Sequence, residues 1–367
     1  MCISKKPISA VCKKRKKIFK TIFFLIVFLV SIFFVNKIFF SSPKIIKVSF
    51  RGGVVPKLKK EKKPKAILKN PVYLIAVGDI MLSRNVENKI KQNGFNYPFL
   101  KTKDYLETGN IVFGNLECPI IAGPEVKTGQ MMFRASPGVE KALKNANFSI
   151  LSLANNHTYN QNERGMLKTF DYLKSVGIKY VGAGKNAEEA YAPTIIEKNG
   201  ARFAFLAYSD NALVPGFYEA NNFPGIAFDN KQKMISAVRN ANKKADFVIV
   251  SMHLGQEYKL TPNSHQKDFA HAAINNGADL ILGHHPHVIQ SIEKYKGKYI
   301  FYSLGNFIFD QMWSRETREG IIVKLLFKEN KVRLVEIKPI LIENYSQPRI
   351  LKGSAADRVL DKINKNF

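Results

Sequence analysis

Cysteine is scarce in this sequence. The 367 residues contain three, at Cys2, Cys12 and Cys118. The first two precede a long apolar stretch, which leaves Cys118 alone in the remainder of the chain. Because a single thiol cannot form an intradomain disulfide, the sequence excludes a disulfide-stapled domain, and a hydrophobic core must hold the fold together.

Acidic residues are almost absent from the first 70 positions, where 19 Lys and Arg residues accompany one acid, Glu61. This segment carries +18 of the net charge of +28, so the rest of the chain is only moderately basic, at +10. Zinc-finger spacing and RNP-type motifs are also absent from the sequence. The composition therefore does not predict a nucleic-acid partner, and it suits a membrane surface or an anionic polymer.

One long hydrophobic run lies near the N-terminus, directly behind a basic cluster. Residues 21–35 carry no charge, and the apolar character resumes at 38–40. As a helix, residues 21–40 would be about 30 Å long, which is enough to cross the hydrocarbon core of a bilayer. Eight Lys or Arg residues among the first 20 place the N-terminus in the cytoplasm. We therefore expect a single-pass cell-membrane protein whose main domain is extracytoplasmic.

A cleaved signal peptide is the alternative, but the segment FFSSPK (39–44) lacks a small-x-small cleavage site. The Lys-rich stretch with three prolines that follows is typical of a linker. The sequence thus predicts a basic cytoplasmic segment (1–20), a transmembrane signal-anchor (21–40), a basic linker (41–70), a folded domain (71–340) and a C-terminal extension (341–367).

From residue 72 onward, short apolar runs alternate with helical patterns, which predicts an α/β domain with more than one sheet. Five of the predicted strands end in residues that suit metal or phosphate chemistry. Loops at the carboxyl ends of strands in α/β folds converge on one site. We therefore expect a shared metal site built from Asp79, Glu117, Asn156, His157, His253, His285 and His287.

The candidate ligands form a mixed set of carboxylate, amide and imidazole groups. Such a set suits Mn, Fe or Zn better than Ca or Mg alone. It could also be divided between two ions about 3.5–4 Å apart, as in sites for in-line displacement at phosphorus. The sequence predicts one or two divalent ions and leaves their number and identity open. His265 and His271, six positions apart on a predicted helix, are predicted not to be ligands.

Six motifs in order, GDIML, GNLE, LANNH, MHLGQEY, GHHPH and SLGNF, carry a family resemblance. Over roughly residues 72–310 the chain resembles the CapA family, named for poly-γ-glutamate capsule synthesis, within the calcineurin-like metallophosphoesterase superfamily. This resemblance implies a four-layer α-β-β-α sandwich of metallophosphoesterase type. It also implies a metal-dependent, phosphoesterase-like hydrolase site.

The resemblance further implies roles for single residues. Glu117 stands where the superfamily has a bridging aspartate, and His157 where a histidine protonates or stabilises the leaving group. His284 remains as an extra histidine outside the ligand set. The metal ligands implied are Asp79, Glu117, Asn156, His253, His285 and His287.

Besides Glu117, two motifs depart from the superfamily pattern. The usual D-x-H motif is absent, because Asp79 is followed by Ile80 and Met81. After the NNH motif, Asn160 and Asn162 stand where many relatives have Asp and Gly. One expected metal ligand is therefore missing from this chain.

Three further residues are predicted to contact substrate. Arg134 is the best candidate for gripping an anion, because a guanidinium group matches the geometry of carboxylate and phosphate. Glu257 in GQEY and Asn306 in LGNF are predicted to lie at the rim of the site.

The sequence and the resemblance together predict a membrane-anchored protein for the synthesis or export of an anionic surface polymer, with poly-γ-glutamate as the family's namesake. Hydrolytic attack on phosphorus or an acyl centre is the expected chemistry, with an anionic polymer or a phosphoester as substrate. The alternative is a non-catalytic envelope component with a structural or degenerate metal site. In that case the anchor would dock the domain to a membrane-bound polymer synthase.

Overall fold

The structure is a computed structural model that describes residues 70–365. This part of the chain is a mixed α/β domain with two large β-sheets and one two-stranded sheet. The predicted membrane anchor at 21–40 and almost all of the predicted linker lie outside the described residues. Within residues 70–365, no helix combines the length and the apolar character that a membrane span requires.

The strands are numbered in chain order. They are β1 (Val72–Ile80), β2 (Ile111–Leu116), β3 (Ile150–Ser152), β4 (Lys179–Val181), β5 (Ala183–Gly184), β6 (Thr194–Lys198), β7 (Ala201–Ser209), β8 (Gly225–Ile226), β9 (Phe247–His253), β10 (Leu280–His284), β11 (Ile292–Tyr295), β12 (Lys298–Phe301), β13 (Asn306–Ile308), β14 (Glu319–Lys328), β15 (Lys331–Glu343) and β16 (Gln347–Ile350).

The helices are numbered in the same way. The α-helices are α1 (Arg84–Asn93), α2 (Lys103–Leu106), α3 (Val139–Asn145), α4 (Asn162–Ser175), α5 (Ala187–Tyr191), α6 (Lys231–Lys244), α7 (Ser264–Asn275), α8 (Arg315–Arg318) and α9 (Ser354–Lys365). Short 3-10 helices span Tyr97–Phe99 and Gly216–Tyr218.

The first sheet has the strand order β16-β15-β14-β1-β2-β3-β4, and β13 also pairs with β1. Strands β1 to β4 run parallel, so their carboxyl ends lie along one edge of the sheet. The register places Asp79 opposite Asn115 on β2 and opposite Asn306 on β13. This edge therefore gathers the polar residues that end these strands.

The second sheet has the order β11-β12-β10-β9-β7-β6, with a parallel centre and an antiparallel hairpin at each edge. The hairpin that joins β6 to β7 turns at Asn199 and Gly200, both with positive φ, as an Asn-Gly turn predicts. The pairing of β9 with β7 and β10 places His253, at the end of β9, beside Ser209 and His284. The histidine-bearing strand ends therefore lie next to each other.

Three apolar clusters define the layers. Between the two sheets, Phe113 of β2 stacks on Phe205 of β7 with ring centroids 5.7 Å apart. Helices α1, α3 and α4 cover the outer face of the first sheet, and α5, α6 and α7 cover that of the second. The described domain is thus a four-layer α-β-β-α sandwich, the layer order that the family resemblance implies.

The C-terminal segment is part of this domain. The boundary predicted at residue 340 falls inside β15, and β16 pairs with β15 to complete the first sheet. Helix α9 then places Val359 and Ile363 in the apolar cluster between the sheets. The predicted separate extension at 341–367 is corrected accordingly: its residues up to 365 are structural elements of the sandwich.

Candidate metal centre

The carboxyl ends of strands from both sheets meet at one end of the sandwich. Asp79 of β1 contacts the second sheet, where its Oδ1 lies 3.1 Å from His284 Nδ1 and its Oδ2 accepts the backbone N–H of His285 at 3.2 Å. His253 Nδ1 lies 3.5 Å from Glu117 Oε1 across the same gap. The structure therefore brings together strand ends that are up to 208 residues apart in sequence, from Asp79 to His287.

Two glycines permit this close approach. A Cβ at Gly78 would lie 1.8 Å from the carbonyl oxygen of Gly305, and one at Gly283 would lie 2.0 Å from that of Tyr302. Each glycine directly precedes a polar residue of the site, Asp79 or His284. The backbone can pass its neighbour at these points only because no side chain intervenes.

Asn115 forms the hub between the two carboxylates. Its amide nitrogen lies 2.9 Å from Asp79 Oδ1, 2.9 Å from Glu117 Oε1 and 3.1 Å from His253 Nδ1. Its amide oxygen accepts from Asn155 Nδ2 at 3.0 Å. Asn115 and Asn155 thus fix the carboxylates from behind.

Two groups of possible ligands share this space, each with one ligand atom per residue within 4.8 Å of the others. The first contains Asp79, Glu117 and His253, and the second contains Glu257, His285 and His287. Glu117 lies between them, because its Oε2 is 4.0 Å from His287 Nε2. Glu257, predicted at the rim, is placed by the structure among the possible ligands.

Asn156 extends the first group. Its Oδ1 lies 2.9 Å from His253 Nε2. This is a hydrogen-bond distance, and it places Asn156 directly beside the first group.

His287 is held in one tautomer by Asn306. The amide nitrogen of Asn306 donates to the carbonyl of Thr317 at 2.9 Å, so the Asn306 atom that faces His287 Nδ1 at 3.0 Å is the oxygen. His287 Nδ1 must then carry the proton, and Nε2 presents a lone pair. Asn306 is fully buried with all of its donors used inside the protein, so it positions His287 and has no donor left for a substrate, contrary to its predicted rim role.

Several buried atoms of the centre have no hydrogen-bond partner among the described residues. They are Glu117 Oε2, His284 Nε2 and His285 Nδ1. Leaving a buried polar atom without a partner costs about 1–3 kcal/mol, and carboxylate oxygen and imidazole nitrogen are ligand atoms for divalent transition metals. The residues present therefore fit a divalent cation.

Burial sets the charges of the centre. It opposes ionisation of Asp79, but hydrogen bonds from His284 and His287 outweigh it and hold the pKa of that carboxyl well below its usual value. Burial raises the pKa of Glu117 well above its usual value, and the Asp79 charge raises it further.

The imidazoles respond in the opposite direction. Burial, together with the neighbouring His285, lowers the pKa of His253 well below its usual value. Burial and the neighbouring His287 lower the pKa of His285 to about 3. These shifts favour the neutral form of both rings, which can offer a lone pair, whereas the shift of Glu117 favours its protonated form, in which the proton competes with a cation for the carboxylate oxygens.

His157 is oriented by Asn160. Asn160 Oδ1 accepts the backbone N–H of Phe133 at 2.7 Å, so this atom must be oxygen, and His157 Nδ1 must donate to it at 2.9 Å. Burial, outweighing this hydrogen bond, lowers the pKa of His157 to about 4. At neutral pH the Nε2 atom is therefore an acceptor, and the predicted protonation of a leaving group requires a proton to reach the ring first.

Arg134 does not face this centre. Its guanidinium donates to both carboxylate oxygens of Glu87, at 3.1 and 3.2 Å, and to the carbonyls of Ile121 and Pro124. The residue is only 2% exposed. These contacts correct the prediction that Arg134 binds an anionic substrate. The side chain instead connects residues 121–136 to α1.

Arg84 is an arginine whose charge does act on the centre. It forms an ion pair with Asp310 and lies over the ring of Phe133, 4.6 Å from its centroid. The charge of Arg84 adds to burial in lowering the pKa of His157, and it partly opposes the burial that raises the pKa of Tyr258 above its usual value. The sequence offered one signal for it, because Arg84 follows the GDIML motif at the end of β1.

Exposed aromatic side chains mark the open side of the centre. Tyr258 is 43% exposed, and its ring centroid lies 6.3 Å from that of His287. Trp313, 65% exposed, packs edge-on against Tyr258 at 5.9 Å. These rings therefore line the solvent-facing side of the centre, beside His287.

Three residues that lie behind the ligands were not among the predicted site residues: the amides Asn115 and Asn155 and the extra histidine, His284. Asn115 and Asn155 lie in the same GNLE and LANNH motifs as the predicted ligands. His284 contacts Asp79 and keeps one buried nitrogen without a partner. Their position beside predicted ligands at strand ends was the available signal.

Comparison with known proteins agrees with the motif order. Residues 73–311 match the family model "Bacterial capsule synthesis protein PGA_cap". The capsule biosynthesis protein CapA of Bacillus anthracis is 34% identical over 298 residues, which cover 79% of this chain and 72% of that protein. The PGA biosynthesis protein CapA of Bacillus subtilis (strain 168) is 36% identical over 287 residues, covering 77% and 75%.

A solved structure, the NAD nucleotidase of Haemophilus influenzae, is more distant. It has 12% sequence identity and a TM-score of 0.46, and the match covers 81% of this chain and 63% of that one. The family match covers well over half of the sequence and includes the strand-end motifs. The chain therefore belongs to the bacterial capsule synthesis protein PGA_cap family, which includes the CapA proteins.

Proposed function

We propose that this chain takes part in the synthesis or export of an anionic surface polymer of the poly-γ-glutamate type, and that its domain carries a metal-dependent hydrolase-type site. The names of the two Bacillus relatives, which refer to capsule and PGA biosynthesis, support the first part. The second part is supported by the geometry of the candidate metal centre.

One observation carries the hydrolytic part of the proposal. Two groups of ligand-type side chains, all buried except the partly exposed Glu257, meet at Glu117, whose Oε2 has no hydrogen-bond partner among the described residues. A purely structural polar cluster would satisfy such an atom internally. Asp79, Glu117, Asn156 and His253 would hold one ion, and His285 and His287, with Glu257, would hold a second.

Bound divalent ions would act as Lewis acids toward a phosphoryl or acyl oxygen and would lower the pKa of a water molecule. The residues of the chain prepare this chemistry. Asn115 orients the carboxylates, Asn306 orients His287, and Asn160 accepts a hydrogen bond from His157 Nδ1, so that the ring proton lies on Nδ1 rather than on Nε2. We propose that His157 exchanges a proton with the reacting group through Nε2.

The location is part of the same proposal. Residues 21–40 would anchor the protein in the cell membrane as a single span, with the sandwich on the extracytoplasmic side. There it would meet an anionic polymer or a phosphoester, and a membrane-bound polymer synthase would be its protein partner. No nucleic acid is proposed as a partner.

Turnover by the full-length protein in detergent tests the hydrolytic part. After incubation with Mn²⁺, Fe²⁺ or Zn²⁺, the protein is assayed on a generic phosphodiester and on poly-γ-glutamate. We expect turnover that falls at least about 100-fold in His157→Ala, the usual range for loss of an acid–base group. The control is His271→Ala, because His271 lies on α7 and pairs with Glu293 away from the centre.

A non-catalytic envelope component is the second candidate, and the first motif favours it. The position two residues after Asp79, where the superfamily has a histidine ligand, holds Met81, which is fully buried and accepts the N–H of Ser83 through Sδ. Stoichiometric metal without turnover on both substrates would support this candidate. A wild-type chain that binds no metal would contradict both roles for the centre.

A further inference from the structure

We propose that Asp210, Asp229 and His265 form a second divalent-cation site, separate from the candidate metal centre. One ligand atom from each residue lies within 4.8 Å of the others. Asp210 directly follows β7, Asp229 precedes α6 and His265 lies in the first turn of α7. Three separate segments thus converge on one point, although the sequence predicted His265 to be a non-ligand.

This cluster lies on the helical side of the second sheet. Side chains alternate along a strand, and on β7 Ala207 faces the core between the sheets while Tyr208 faces the helices. On β9, Met252 faces the helices and His253 reaches Glu117 between the sheets. His265 belongs to α7, which packs on the outer, helix-covered face of the second sheet. The ligands of the proposed second site and those of the candidate metal centre therefore lie on opposite faces of this sheet.

The charge balance of the cluster favours a bound cation. Asp210 and Asp229 are 8% and 7% exposed, and within residues 70–365 no Lys or Arg forms an ion pair with either of them. Two buried carboxylates this close repel each other. Among the described residues, the basic group within ion-pair distance is His265, whose Nε2 lies 2.5 Å from Asp229 Oδ2.

The carboxylates are also oriented as ligands are. Asp210 Oδ1 accepts the backbone N–H of Ala212 at 2.8 Å, and Asp229 Oδ1 accepts that of Asn211 at 3.1 Å. Backbone donors thereby fix one oxygen of each group, as outer-shell hydrogen bonds do in metal sites. Asp229 Oδ2 then faces the imidazole, and no donor from the described residues reaches Asp210 Oδ2.

The donor set defines the class of ion. Two carboxylate oxygens and one imidazole nitrogen suit Zn²⁺ or Mn²⁺, with the remaining positions open to water or to an anionic group. The side chain of His265 is 48% exposed, which provides a path of entry from solvent. The site is therefore accessible without opening the sandwich.

His271 on the same helix provides a matched control. Its Nε2 lies 3.0 and 3.1 Å from the two carboxylate oxygens of Glu293, and its ring stacks on Tyr295. Among the described residues, no second carboxylate joins this pair to make a group of three. His271–Glu293 is thus a histidine–carboxylate pair without the second carboxylate that the proposed site requires.

Metal content tests the proposal. The full-length protein and its variants are dialysed against Zn²⁺, passed through a desalting column and analysed for metal per chain. We expect His265→Ala and Asp229→Asn each to retain one equivalent fewer than the wild type, and His271→Ala to retain the wild-type amount. Asp229→Asn preserves the shape of the side chain, and circular dichroism checks that each variant is folded.

Thermal unfolding gives a second readout. Added Zn²⁺ should raise the Tm of the wild type and of His271→Ala by more than that of His265→Ala, because a bound ion stabilises the folded state. Equal metal content in the wild type and in folded His265→Ala would overturn the proposal, as would an equal loss in His271→Ala. The test compares variants, so its result does not depend on how the candidate metal centre is loaded.

Discussion

At the scale of single residues, the most informative side chain is Asn160. A carboxylate at this position would stabilise a protonated His157, whereas the neutral amide offers one acceptor without charge. Burial beside Phe133, whose ring centroid lies 4.1 Å from that of His157, disfavours the imidazolium further. Burial therefore lowers the pKa of His157 to about 4, and the uncharged hydrogen bond to Asn160 raises it too little to compensate.

Replacing this amide gives a test at the same scale. Asn160→Asp should raise the pKa of His157 above about 4, because a carboxylate 2.9 Å from Nδ1 favours the charged ring. An NMR titration of the histidine ring protons measures the shift. Under the proposed hydrolytic function, the pH profile of turnover should move in the same direction.

The matched control is Asn162→Asp. Asn162 is exposed at the start of α4, and no described hydrogen bond links its side chain to His157. This variant adds the same negative charge two positions from Asn160 in the sequence. An equal rise in the His157 pKa in both variants would show that general charge, rather than the contact from Asn160, controls the ring.

At the scale of elements, the centre depends on how closely β1 and β10 pass their neighbours. The glycines that precede Asp79 and His284 allow backbone contacts that no other residue would permit. Since both flank ligand-type residues, packing of these strands and geometry of the centre are set by the same contacts. A substitution here should affect folding before it affects chemistry.

We therefore predict that Gly78→Ala destabilises the domain by about 3 kcal/mol or more, at the upper end of the range for overpacking. The added Cβ would lie 1.8 Å from the Gly305 carbonyl oxygen, which is backbone and cannot rotate away. Urea unfolding of purified protein measures the change. Gly216→Ala is the control, because a Cβ there meets nothing within 4 Å; similar stability of the two variants would contradict the packing argument.

At the scale of the whole molecule, buried histidines make the metal-free protein sensitive to acid. The pKa of His157 is about 4 and that of His285 about 3, and that of His253 is also lowered. Unfolding restores values near 6.5, so the unfolded chain binds more protons below that pH. The stability that these groups contribute is therefore complete above about 6.5 and is lost as the pH falls toward their folded values.

Glu117 acts in the opposite sense. The pKa of Glu117 is raised in the folded state, so the folded protein keeps this proton at pH values where the unfolded chain has released it. The contribution of Glu117 to the stability of the fold therefore falls as the pH rises. Because three histidines oppose one carboxylate, we predict that metal-free protein is less stable at pH 5 than at pH 7. Each histidine contributes on the order of 1–2 kcal/mol to this difference.

Urea unfolding of chelator-treated protein at pH 5, 6 and 7 measures this effect. The variant His157→Gln should lose part of the dependence, because glutamine does not titrate. His271→Gln, which changes a partly exposed histidine, should retain most of it. Equal stability at the three pH values in the wild type would contradict the prediction.

The sequence predicted features that depend on local pattern. The Asn199–Gly200 hairpin and helix α4, with Met166, Phe170 and Leu173 buried at helical spacing, follow from turn chemistry and apolar periodicity. The alternation of strands and helices was sufficient to predict that polar strand ends would lie along one edge. The structure places those ends together, with Asp79 contacting His284 and His287.

Features that depend on contacts between distant segments were not predictable in this way. Arg134 is an arginine in a loop by sequence, and only the packing of α1 shows that Glu87 occupies its guanidinium. Asn306 likewise became a support for His287 once β13 was placed beside β1.

By itself, the sequence determined the element types, the family and the order of the strand ends, because periodicity and motifs are properties of neighbouring residues. Only the tertiary structure decided which side chains use their hydrogen bonds on each other and which remain without partners. Asp210, Asp229 and His265 illustrate the difference: each is unremarkable in its own segment, and their proximity exists only where β7, α6 and α7 meet. Charge and desolvation act over distances in space, so the chemistry of these residues is set by the fold rather than by their order in the chain.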